Sequence, residues 1–175
     1  MTDEFAHRLP LNQVRDGERI DLVADHAERR RIAERLGLPA LERLEAHATL
    51  ERAGDIVRAR GRLKASLTQN CVITGDPVEA SADEPFNLMF VPEPATGRPE
   101  EEIELGEEDC DVVFHDGSAI DLGSAVADTL ALALDPYPRS AGAEATLKEA
   151  GVMTEEEASP FAALAKLKRS GSDQP

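Results

Sequence analysis

Four cations stand at alternate positions along one stretch of the chain: Arg58, Arg60, Arg62 and Lys64. Between them lie Val57, Ala59, Gly61 and Leu63. On an extended backbone, side chains two apart share a face and repeat every ~6.6 Å, so the four would make a basic stripe about 20 Å long. Such a row can meet nucleic-acid phosphates, which are contacted as point charges. It can equally be a solvated face whose charges are balanced across a hairpin, at ~0.2–1 kcal/mol per pair. The balancing neighbours would then be Glu45, His47, Thr49 and Glu51. Arg29, Arg30, Arg31 and Arg35 add to the first reading, and ten of the nineteen basic residues fall between 29 and 64.

Cys71 ends the same stretch, in QNCVITGDPV. A structural zinc site takes four ligands, usually in close pairs. Thr74 stands where a second cysteine would complete C-x-x-C, and Cys110 and His115 are the scattered remainder. A nucleophilic cysteine needs a base and an electropositive setting, and the local sequence supplies neither. Cys71 is therefore expected to be a small buried residue, a common fate of free cysteine, with no metal or cofactor. The run from Glu100 to Asp111 holds eight carboxylates and no base. Despite Gly106 it does not match a calcium loop, which wants Asp or Asn at alternate positions and a terminal Glu, and it reads as a solvated, self-repelling loop. His7, His26, His47 and His115 lie far apart. No nucleophile elbow, phosphate loop or dinucleotide fingerprint is present, so no catalytic site assembles and an enzyme is not expected.

The elements that must position these residues follow from hydrophobic period. Residues 41–52 and 56–70 alternate apolar and polar, which predicts two half-buried strands joined by a turn at Ala53-Gly54-Asp55. Short strands are predicted at 9–14 and 19–24, with a turn at 16–18. Asp25 and Glu28 form a capping-box pattern, and Gly37 and Pro39 close a helix over 26–36 with Ile32 and Leu36 facing inward. Residues 78–91 read as extended, with Pro85 suggesting an edge strand or a bulge. Cys110, Val112 and Phe114 alternate, implying a strand over 109–115. The period then changes: Leu122, Val126, Leu130 and Ala133 predict a helix over 121–134, capped by Asp121 and stopped by Pro136. Residues 139–158 are poor in large apolar side chains and expected to be mobile. Ser159-Pro160 starts a short helix over 160–168 that carries Phe161, Leu164 and Leu167 at partner-docking spacing.

The expected fold is α+β. An antiparallel sheet carries two main helices and a short C-terminal one, with a single domain over 1–138 and a mobile segment over 139–175. The alternative is a sheet curled into an open barrel, for which Gly61 in mid-strand would suit the bend. The net charge of −16 argues against indiscriminate nucleic-acid binding. Aromatic residues make up 3% of the chain, so the core must be aliphatic. With no signal-like leader and no apolar stretch near ~20 residues, a soluble cytoplasmic protein with no membrane partner is expected.

The order of these features resembles the YceD family, the large ribosomal RNA subunit accumulation proteins. The resemblance rests on QNCVITGDPV at a strand end, the acidic stretch after it, IDLGSAVADTLALALDPYPR, and PFAALAKLK, and it covers roughly residues 40–168. It implies a non-enzymatic bacterial factor for accumulation or processing of large-subunit (23S) ribosomal RNA during ribosome assembly. Its partner would be ribosomal RNA, or else a basic ribosomal or assembly protein docked by the acidic segment and last helix without RNA contact. Relatives often carry C-x-x-C where this chain has Cys71 and Thr74, so a metal role in a relative does not transfer directly.

Overall fold

The computed structural model describes Phe5, residues 7–93 and residues 110–152. In chain order the elements are β1 (Arg8–Pro10), a 3-10 turn (Leu11–Gln13), β2 (Glu18–Val23), α1 (His26–Leu36), β3 (Ala40–Ala53), β4 (Ile56–Asn70), β5 (Pro77–Pro92), β6 (Asp111–His115), β7 (Ala119–Asp121), α2 (Leu122–Ala133) and α3 (Ala143–Glu149). The described residues divide into two compact units. One lies within Met1–Gln69 and Glu79–Pro136, the other within Asn70–Val78 and Tyr137–Pro175.

In the first unit the two alternating stretches become the β3–β4 hairpin, turning at Gly54 with φ of 64°. A five-stranded sheet of order β2-β3-β4-β5-β6 is built around it, while β1 pairs with β7 in a small antiparallel ribbon. The β2–β3 and β3–β4 pairs are antiparallel. β5 and β6 run parallel, Leu88 facing Asp111 and Pro92 facing His115. The sheet is therefore mixed, which corrects the expected antiparallel one. A parallel neighbour needs a long crossover connection rather than a tight turn, and here residues 93–110 join the two strands. Pro85 lies outside the part of β5 that pairs with β6, so its missing N–H breaks no bond to that strand. The strand order has two edges, β2 and β6, so the sheet does not close into a barrel.

The helices begin and end as their end residues require. Asp25 accepts from the Glu28 N–H at 2.8 Å and Glu28 accepts from the Asp25 N–H at 2.8 Å, and left-handed Gly37 ends α1. These bonds satisfy backbone groups that a helix terminus leaves unpaired. Asp121 caps α2 by accepting from the Ser124 N–H at 2.9 Å. α2 buries Leu122, Val126 and Leu130 completely, each contributing about 1.5–3 kcal/mol by leaving water. They join Leu22, Ile32, Leu44, Leu50, Val57 and Leu63 in one aliphatic core.

The β3–β4 hairpin tip is tied down on two sides. The Arg52 guanidinium donates to the Leu11 and Val14 carbonyls, and the Arg52 N–H donates to Asp16 at 3.0 Å. His115, buried at the end of β6, holds the Asp55 carbonyl at 2.8 Å while its Nδ1 accepts from the Gly117 N–H. Since Nδ1 accepts, Nε2 carries the proton and donates. β6 thus turns Val113 and His115 inward and leaves Phe114, one of the three alternating apolar residues, 55% exposed. After β6, Asp116 closes a turn by accepting from Ser118. That bond comes first, ahead of the Ala119 N–H and the Arg8 charge, in holding its carboxyl well below the usual range.

The second unit begins with a tight turn in which the Cys71 N–H donates to the Asp76 carbonyl at 2.8 Å and the Gly75 N–H to the Cys71 carbonyl at 2.9 Å. The Val72 N–H reaches the Pro138 carbonyl at 2.9 Å. α3 lies inside the stretch expected to be mobile. The predicted helix over 160–168 lies outside the described residues. No helix among the described residues is long and apolar enough to cross a membrane.

Candidate functional site

Arg58, Arg60, Arg62 and Lys64 occupy one face of β4, opposite the buried Val57, Ala59 and Leu63. The hairpin register sets Glu51 across from Arg58, Thr49 from Arg60, His47 from Arg62 and Glu45 from Lys64. β2 extends the same rows, with Arg19 beside Thr49, Asp21 beside His47 and Val23 beside Glu45. Alternation alone produces this face: each polar residue is forced outward because its neighbours in sequence are committed to the core.

The stripe is interleaved with carboxylates. Arg60 lies 3.8 Å from Glu51. Arg62 donates from Nε to Asp83 on β5 and from Nη2 to the Asp83 carbonyl at 3.4 Å, and Lys64 Nζ lies 4.0 Å from the same carboxylate. The Arg62 hydrogen bond, ahead of the charges of Arg62 and Lys64, holds the Asp83 carboxyl below its ordinary value. All these groups remain about half exposed. Arg62 and Lys64 also line a depression of about 320 Å³ with Asp21, Glu45 and His47, floored by Leu22 and Ala46. What the face offers chemically is a row of donors for anions, partly occupied by weak internal partners.

The arginines of α1 are not a continuation of the stripe. Arg29 donates to the Ala24 carbonyl at 2.7 Å, Arg30 lies 3.8 Å from Glu34, and Arg35 reaches Asp128 of α2 at 2.7 Å. Arg31 buries its Nε without a hydrogen-bond partner. Three of the four thus have partners away from the β4 face: one within α1, one on the chain just before it and one on α2.

Cys71 is a buried residue of the second unit, with 3% of its surface exposed. Its Sγ accepts from the Thr74 N–H at 3.4 Å, and Thr74 Oγ1 lies 3.1 Å from Ser140 Oγ. Burial pushes the thiol pKa up, but hydrogen bonds from the side chain and backbone of Ser140, and then of Thr74, outweigh it and bring it down to about 6. Thr74 therefore sits at the sulfur. No metal-holding group of histidines, cysteines and carboxylates occurs among the described residues. Phe161, Leu164 and Leu167 lie outside them.

Asp83 and Ser140 were not legible as partners. Asp83 sits in SADEP with no feature of its own, and its place beside Arg62 depends on the β4–β5 pairing, which nothing in residues 71–76 specifies. Ser140 reaches Cys71 over sixty-odd residues of sequence, beyond any local pattern.

No curated protein and no solved structure matches the chain. The family model described as the large ribosomal RNA subunit accumulation protein YceD matches residues 59–168.

Proposed function

Because this chain belongs to the YceD family, we propose that it is a non-enzymatic factor in the accumulation of large-subunit (23S) ribosomal RNA, and that it meets RNA phosphates along the outward face of β4. In this reading it works in the cytoplasm, where ribosomes assemble. The observation that supports RNA contact is the register, which gathers Arg58, Arg60, Arg62 and Lys64 on one solvent-facing strand of a protein with net charge −16. The carboxylates among them do not forbid it. Exposed ion pairs contribute only ~0–1 kcal/mol, and a polyanion that releases counterions on binding can displace them. The acidic remainder of the chain keeps the protein from adhering to every nucleic acid it meets.

Replacing all four cations with Gln is expected to weaken binding to a transcribed large-subunit RNA fragment. The dependence of log K on log salt should flatten by about one unit per lost phosphate contact. Unchanged affinity and slope would reduce the stripe to a solvated face. The second reading would then take its place: an acidic adaptor that docks a basic ribosomal protein, with Phe161, Leu164 and Leu167 as its candidate anchors. The net charge and the eight carboxylates between Glu100 and Asp111 favour that alternative.

A further inference from the structure

Asp83 divides its carboxylate between two consecutive members of the stripe. One oxygen accepts from Arg62 Nε, and the other lies 4.0 Å from Lys64 Nζ. The two non-bridging oxygens of a phosphodiester can be shared between a guanidinium and an ammonium in the same way. The same two cations line the 320 Å³ depression that spans β2, β3 and β4. We infer that Arg62 and Lys64 form a phosphodiester subsite for the RNA backbone, and that Asp83 is an internal occupant which RNA displaces. The inference rests on the RNA reading of the β4 stripe and names the place in it where a phosphate exchanges with a protein carboxylate.

A purely architectural role for the trio fits less well. Side-chain exposures of 46% for Arg62, 55% for Lys64 and 53% for Asp83 leave all three in solvent, above a core that already closes without them. Pairs so exposed add little to stability. A carboxylate in that position does have a consequence for binding. It lowers the local positive potential and must be vacated before a phosphate can sit, so it sets the affinity of the subsite below what the two cations alone would give.

The test is a cycle on the full chain. Affinity for a short A-form RNA hairpin is measured between ~50 and ~200 mM salt, the range over which phosphate contacts declare themselves. Asp83→Asn should bind about 1.5- to 5-fold tighter, the factor matching one exposed ion pair. Arg62→Gln with Lys64→Gln should bind more weakly, and adding Asp83→Asn to that double variant should change nothing further. Asp83→Ser repeats the gain if the amide of Asn makes bonds of its own. If the double variant weakens binding while Asp83→Asn and Asp83→Ser leave it unchanged or weaker, Asp83 is no occupant, although the stripe still touches RNA. If the double variant binds as the parent does, the subsite and the RNA reading of these two cations fall together.

Discussion

Cys71 is a thiol enclosed by hydroxyls, and its setting is a hydrogen-bonding problem before it is a redox one. Buried polar groups need partners, and a thiolate needs them most. Ser140 and Thr74 supply side-chain and backbone donors, and burial alone would have pushed the thiol the other way. Measured in a Cys110→Ser background, the thiolate absorbance of Cys71 should therefore appear with a midpoint near 6 rather than near the free-thiol value of about 8.5. Ser140→Ala removes a hydroxyl donor and should move the midpoint upward. The stability consequence has a definite sign. A pKa depressed in the folded state contributes fully above the unfolded value and is lost as pH falls through the folded one. Cys71 should thus add stability as pH rises from about 6 to about 8.5, and Cys71→Ala should abolish that rise. A midpoint that stays near 8.5 in the parent protein would dismiss the donors as bystanders.

At the scale of elements, β4 carries both the stripe and the one residue its neighbours cannot tolerate in a larger form. A Cβ on Gly61 would fall 1.9 Å from the His47 carbonyl oxygen and 2.8 Å from the Phe86 ring, so the ring of β5 fills the place a side chain would take. Gly61→Ala must push backbone or ring aside. Overpacking of this kind costs about 1–3 kcal/mol, or roughly 2–12 °C in Tm for a chain of this size. An unchanged melting temperature would mean that β3 and β5 can yield there. The same strands show what was legible beforehand. β3, β4, α1 and α2 are long or capped, and their period and end residues specify them within a residue or two. The Glu45, His47, Thr49 and Glu51 row follows from a two-residue turn, which fixes register. Short elements were not legible. β1 was expected as part of a longer strand, yet it pairs with β7, more than a hundred residues away, and its three residues hold too little pattern to say so. The parallel placement of β6 depends on a crossover rather than a turn, and five residues of alternation cannot tell which face goes inward.

For the molecule as a whole, two salt effects of opposite sign should separate the fold from the function. A chain with 35 acidic and 19 basic residues repels itself in the folded state more than in the expanded one. Salt shortens the Debye length from about 30 Å at 0.01 M to about 3 Å at 1 M and so relieves that repulsion. The same screening weakens the exposed pairs, Arg8–Asp116, Arg35–Asp128 and Arg62–Asp83 among them, but each is worth well under the sum of the unbalanced charge. Thermal stability should therefore rise with added salt by a few degrees, a change of about 1–2 kcal/mol for a chain of this length. RNA affinity should fall over the same range, because each released counterion gains less entropy when the bulk already holds many. The two trends run on different charges: the Gln variant of the four stripe cations should lose the second while keeping the first. It should even steepen the first slightly, since it removes positive charge from an already anionic protein. A melting temperature that drops with salt would show that local pairs, not net charge, dominate the folded state. The outward face of β4 would then be held by its own carboxylates too firmly to release Arg62 and Lys64 to a phosphate.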